Sequence, residues 1–187
     1  MRVRTSLFVT TALISAGCAN YQTYQADSSQ PQASLIVSVN NDSAKDTTIR
    51  RVGVFAFDTC NTPGRRLALI NPKESSTAES GEVRLTAGRP MTLSVIYSDA
   101  RFAENRSCAT TATFSPRPDV KYLADLQVDR SASTCTLRLI DRSSGAELKE
   151  PEIIKPDMAC TGDPKAQLAN GVGIIHNYKI TVVLPAH

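Results

Sequence analysis

From Ala33 onward the chain is a succession of short β-branched runs, each closed by turn residues, and this pattern does most to restrict its fold. Residues 34–40, Ser-Leu-Ile-Val-Ser-Val-Asn, stop at the turn cluster Asn40-Asn41-Asp42. Residues 49–57 alternate from Val52, which sets Val52, Val54 and Ala56 on one face and Phe55 and Phe57 on the other. Residues 82–85 form a short alternating strand that ends at Ala87-Gly88-Arg89-Pro90, and 91–97 keep Met91, Leu93, Val95 and Tyr97 in phase. The Thr-rich run 109–114, then 122–128, 134–141 and 178–184, continue the series, with Cys135, Leu137 and Leu139 on one face. Residues 59–80 read as a loop. No convincing helix interrupts the strands. The expectation is an all-β fold, an antiparallel β-sandwich of about seven strands, or a barrel closed from the same strands. Residues 149–173 hold Pro151, Pro156, Pro164 and three glycines, which predicts a long loop with one helical turn around 165–168.

The segment before this domain reads as a processing signal. Arg2 and Arg4 precede an apolar run of eight residues from Leu7 to Ile14, less than half the roughly 20 needed to cross a bilayer. The run ends in Ser15-Ala16-Gly17-Cys18. This resembles a bacterial lipobox, in which small residues precede a cysteine that is diacylated and becomes the new N-terminus. The lipobox favours Leu three places before the cysteine, where this chain has Ser15, with Ile14 one place earlier. Ordinary signal-peptidase cleavage at Gly17-Cys18-Ala19 is the competing outcome. In Gram-negative lipoproteins of this kind an Asp after the cysteine retains the protein in the inner membrane. Ala19 therefore implies the outer membrane, with the domain facing the periplasm.

Cysteine arithmetic agrees with that assignment. Five cysteines in an exported chain leave one over. Assigning Cys18 to lipid leaves Cys60, Cys108, Cys135 and Cys160, an even set suited to an oxidising compartment. Three pairings are open to four cysteines. Cys108–Cys135 is expected because the two bracket a proline-cornered pair of strands, and Cys60–Cys160 follows by elimination, clamping the long loop. The organisation expected is a signal peptide at 1–17, a lipidated N-terminus and flexible tether at 18–32, and a β-sandwich domain at 33–187. As a coil, the polar, Gln- and Ser-rich residues 19–32 would span roughly 20 Å.

Between Gly88 and Asp141 a Gly-x-Pro turn, Cys108, the corner Phe114-Ser115-Pro116, Tyr122 and Cys135 mark successive strands. This arrangement resembles small uncharacterised proteobacterial outer-membrane lipoproteins. The resemblance implies an immunoglobulin-like or transthyretin-like sandwich and an envelope location, and it implies no particular activity. The transthyretin-like lipoprotein of type VI secretion has a comparable plan, so a subunit of a secretion or surface-assembly machine is one alternative.

Few residues suggest chemistry. His176 and His187 are the two histidines, and no nucleophile is spaced to use them. The cysteines lie too far apart for a zinc site or a Cys-x-x-Cys redox pair, so neither metal nor cofactor is expected. Gly171-x-Gly173 reads as a flexible turn, and Asn105-Arg106-Ser107 only formally matches a glycosylation acceptor. Arg50-Arg51, Arg65-Arg66 and Arg89 could form a basic patch for anionic lipid or glycan. The chain carries 21 basic and 18 acidic residues, and Arg2 and Arg4 leave with the leader. Such near-balance disfavours nucleic acid as a partner. The expectation is a non-enzymatic binding or envelope-scaffold module. Its partners would be the membrane, through the lipid, and an envelope protein or cell-wall component. A periplasmic enzyme or enzyme inhibitor is the remaining alternative.

Overall fold

A computed structural model describes residues 21–41, 49–72, 77–100, 104–129, 134–161 and 168–177. Cys18, residues 165–167 of the helical turn expected at 165–168, the strand expected at 178–184 and His187 lie outside the described residues.

Two six-stranded sheets pack face to face. The first contains β1 (Gln32–Asn41), β4 (Thr77–Glu79), β5 (Val83–Thr86), β8 (Lys121–Asp129), β9 (Thr134–Asp141) and β10 (Ala146–Glu147). Its order is β10-β9-β8-β1, with β4 and β5 both on the far edge of β1. The second contains β2 (Ile49–Phe57), β3 (Arg65–Ile70), β6 (Met91–Ala100), β7 (Glu104–Phe114), β11 (Ile153–Ile154) and β14 (Gly173–Asn177), in the order β3-β2-β6-β7 with β11 and β14 along β7. β12 (Met158–Ala159) and β13 (Leu168–Ala169) form a separate two-stranded ribbon, so Leu168 is in a strand where a helical turn was expected. Seven strands are six residues or longer, and the pairings are antiparallel except that of β1 with β8. That pair can be parallel because the chain between them builds most of the second sheet before returning.

The core lies between the sheets and follows the pleat. Leu35, Val37 and Val39 of β1, Ala124 and Leu126 of β8, and Leu137 and Leu139 of β9 meet Val52 and Val54 of β2 and Leu93, Val95 and Tyr97 of β6. Phe55 and Phe57 point the other way and form a second cluster with Cys160 and Ile96. The faces expected for 49–57, 91–97 and 134–141 are those observed.

β3 falls within the expected loop 59–80. Val54 opposes Ala68 and Phe55 opposes Arg66, so Leu67 is an extra residue at a β-bulge. The bulge gives the strand buried residues at Leu67 and Ile70, three places apart, which hides a strand from a search for alternation.

One end of the sandwich gathers the links 58–64, 87–90, 115–120 and 142–145. Gly88 N–H donates to Pro116 O (2.8 Å), joining 87–90 to 115–120, and Asp119 N–H donates to Gln32 O (2.8 Å) at the start of β1. The Phe114 and Tyr122 rings meet edge to face at 5.4 Å just inside this end.

Candidate functional site

Residues 21–31, expected to be tether, are instead docked on the domain. Thr23 pairs in parallel with Arg66 at the start of β3. Arg66 N–H donates to Gln22 O (2.7 Å) and Tyr24 N–H donates to Arg66 O (2.9 Å). The Tyr24 hydroxyl accepts from Thr86 N–H (3.1 Å) and donates to Thr86 Oγ1 (3.3 Å), while its ring packs on the core beneath the Arg65 guanidinium, 5.5 Å away. The Tyr21 ring lies 4.8 Å from that of Phe55. Asp27 N–H donates to Thr86 Oγ1 (2.9 Å), and the Asp27 carboxylate accepts from Ser29 Oγ (2.6 Å) and Ser29 N–H (3.0 Å). Those Ser29 hydrogen bonds, with Arg89 at 3.6 Å adding a smaller pull, hold the Asp27 carboxyl below the usual aspartate range. The segment looked unstructured because it lacks aliphatic periodicity. Tyr24 supplies the buried ring and the hydrogen-bonding tip, and Tyr21 a ring contact, that such a search does not count.

Between this segment and the strand ends is a small cleft of about 140 Å³, lined by Tyr24, Phe57, Asp58, Arg65, Arg89 and Met91. The expected basic patch is therefore divided. Arg65 is paired to Asp58 at 2.5 Å and Arg89 to Asp27, whereas Arg50 and Arg51 belong to the opposite end of β2. Ion pairing spends the charge of Arg65 and Arg89 locally. A second, open groove of about 470 Å³ runs between the β3 and β4–β5 edges past Leu67, Leu69, Ala78 and Val83.

Of the insert 149–173, the described residues 149–161 and 168–173 run from the edge of β7, where β11 pairs, to the outer side of the second sheet at Cys160, and are pinned by two kinds of bond. Cys160 is disulfide-bonded to Cys60, with Cα atoms 4.8 Å apart. Beside it Ser94 Oγ donates to Cys160 O (2.7 Å), Cys160 N–H donates to Thr111 Oγ1 (2.9 Å), and Thr111 Oγ1 donates to Ser94 Oγ (3.1 Å). The Asn170 side chain accepts from Thr111 N–H (2.9 Å) and donates to Thr111 O (2.9 Å) and Pro156 O (2.7 Å). Ser94 and Thr111 are fully buried, so these partners replace the water that burial removes. Sequence reading missed Ser94, Thr111 and Asn170. The available signal was hydroxyls at the positions of β6 and β7 that alternation assigns to the outside.

Cys108 of β7 and Cys135 of β9 are bonded across the core with Cα atoms 6.2 Å apart, so the expected pairing is the one present and it links the two sheets. Gly171, read as part of a flexible turn, is fixed next to this bridge. Its N–H donates to Ala109 O (2.9 Å) and its carbonyl accepts from Cys135 N–H (2.8 Å), at a φ of 77°. His176 is in β14, in register with Asn105 of β7. Among the described residues no group of three or more His, Cys, Asp or Glu side chains could hold a metal ion, and no helix is long and apolar enough to cross a membrane. The chain matches no protein-family model and no curated protein.

The insert is also where apolar surface is left outside. Among the described residues five large hydrophobic side chains are exposed. Three of them, Ile154, Met158 and Val172, are on the insert, and the others are Tyr21 and Leu69.

Proposed function

We propose that this chain is an outer-membrane lipoprotein, anchored through Cys18. Its sandwich faces the periplasm and acts as a non-enzymatic binding or scaffold module, with the insert 149–173 as the recognition surface. The observation that carries the reading is the combination on that insert of rigidity and exposed apolar side chains. A disulfide and a buried hydrogen-bond network hold the backbone still, while Ile154, Met158 and Val172 stay in solvent. A pre-ordered surface loses little entropy on binding, which favours recognition over mere loop length. The anchor rests on cysteine use. Four of the five cysteines are paired with each other, which leaves Cys18 as the odd one at the end of the leader. Two acyl chains would hold such a protein stably, where one would not.

The test has two arms in the native host. Labelled fatty acid should enter the wild type and not Cys18→Ser. A photo-crosslinking residue at Met158 should capture an envelope protein or glycan that the same residue at Thr136, exposed on the opposite sheet, does not. Identical products from both positions would end the assignment of recognition to the insert.

A further inference from the structure

The docking of residues 21–31 changes how the domain sits on its membrane. Resting on the reading of Cys18 as the lipid anchor, we infer that the sandwich is held with one chosen end against the lipid surface, namely the end carrying 58–64, 87–90, 115–120 and 142–145. The argument is one of lengths. A free tether over 19–32 would let the domain turn in any direction. The chain is fixed from Tyr21 onward, however, by the Thr23–Arg66 pairing, by the Tyr24–Thr86 hydrogen bonds and by the Tyr21–Phe55 ring contact. Only three peptide units separate Cys18 from Tyr21, a reach of at most about 11 Å. The attachment lies at the start of β3 and the ends of β2 and β5, all at the same end of the sandwich. β6 alone has ten residues and is about 33 Å long, so the opposite end stands roughly three leash lengths away. The domain can tilt about its attachment, but it cannot invert.

Charge does not provide this orientation. The near end exposes Arg66, Arg89, Arg117, Lys121 and Arg142, and Asp27, Asp58 and Asp119 are exposed among them. The lipid surface is met because the leash is short, and the contact needs no anionic headgroup. This also gives the Tyr21–Tyr24 segment a role, as the fastening that sets the length of the leash.

The chain contains no tryptophan, so one introduced indole is an unambiguous reporter. Lipidated Arg89→Trp and Asn71→Trp proteins, both changed at exposed positions, would be placed in phosphatidylcholine vesicles carrying a nitroxide on the headgroup. Indole emission at position 89 should be quenched at least twofold more than at position 71. The difference should survive high salt, which screens charge attraction but not a tether. A long Gly-Ser insertion between Asn20 and Tyr21 should abolish it. Equal quenching at both positions, stronger quenching at 71, or loss of the difference in salt would overturn the inference while leaving the anchor intact. Failure of the wild type to incorporate fatty acid would instead remove the anchor on which the inference rests.

Discussion

On the outer side of the first sheet Thr136 and Arg138 stand in solvent, and Arg138 pairs with Glu147 at 3.0 Å and with the partly buried Asp125 at 3.8 Å. On the outer side of the second sheet Ala109, Thr111 and Ser94 are fully buried. The two sheets share one core and differ in what covers their backs. Water reaches the first, so β9 alternates buried with exposed or half-buried residues and β8 alternates buried with half-buried ones between its exposed ends. The insert covers the second, so β7 is buried on both faces from Cys108 to Ala112. The insert is thus a third layer, and its attachment adds stability that neither sheet supplies alone.

The two disulfides separate these contributions. Cys60–Cys160 fastens the third layer and closes a span of 100 residues, whereas Cys108–Cys135 fastens sheet to sheet across 27. In the chain-entropy model they are worth roughly 4.7 and 3.5 kcal/mol. Replacing Cys60 and Cys160 together by Ser should therefore lower unfolding stability more than replacing Cys108 and Cys135 by Ala, as read from guanidinium midpoints. A smaller loss at Cys60 and Cys160 would mean that the Ser94–Thr111–Asn170 network alone holds the insert, and that the disulfide is secondary.

The same contrast explains what could be read beforehand. β9 was legible residue by residue because one side is wet and one dry, and Cys135, Leu137 and Leu139 mark the dry side. Across the core, the pairing of Cys108 with Cys135 is the one expected, but not for the reason expected: β7 and β8 lie in different sheets and do not pair, and the bridge instead joins β7 to β9 between the sheets. The insert was legible as an irregular stretch but not as a layer. Its strands β11, β12 and β13 are two residues long, too short to carry a period. β3 was lost to its bulge. The docked segment 21–31 was lost because its interactions depend on Thr86 and Arg66, which are remote in the chain, and no local pattern announces them.

Glycine substitutions sharpen the comparison at single-residue scale. Gly171 and Gly145 share a left-handed backbone, with φ of 77° and 73°. A side chain at Gly145, in the turn after β9, would meet open space, whereas a Cβ at Gly171 would lie 2.7 Å from the Cys135 carbonyl oxygen, where the insert joins both sheets. Gly145→Ala should cost about 1 kcal/mol, the conformational penalty alone. Gly171→Ala should cost roughly 2–3 kcal/mol, because a backbone atom must also give way. Thermal unfolding of the two variants side by side measures the difference. Equal losses would show that the junction at Gly171 is soft and that the third layer is loosely held.

The smallest effect expected is electrostatic, at the water-covered sheet. Asp141 ends β9 on the core side, where Oδ1 accepts from Ser143 N–H (2.8 Å) and Ser144 N–H (3.4 Å) and Oδ2 meets Arg117 at 2.7 Å. The Ser143 backbone hydrogen bond, followed by that from Ser144 and the nearby Arg117 charge, holds its carboxyl below the ordinary value of 3.8. A carboxyl whose folded value lies below its unfolded one takes up protons more readily when the chain unfolds. Its stabilising contribution is complete above the unfolded value and is lost as pH falls through the folded one. The wild type should therefore lose melting temperature as the pH is taken from neutral to about 3, with Asp141 among the causes. Asp141→Asn should melt lower than wild type at neutral pH and show a shallower fall on acidification, so that the two curves converge in acid. Asp27→Asn should show the same sign with a smaller gap, because its partners Ser29 and Arg89 stand in solvent. Parallel curves for Asp141→Asn and wild type would show that the turn at 141–144 is held by its backbone geometry, with no contribution from the ionised carboxylate.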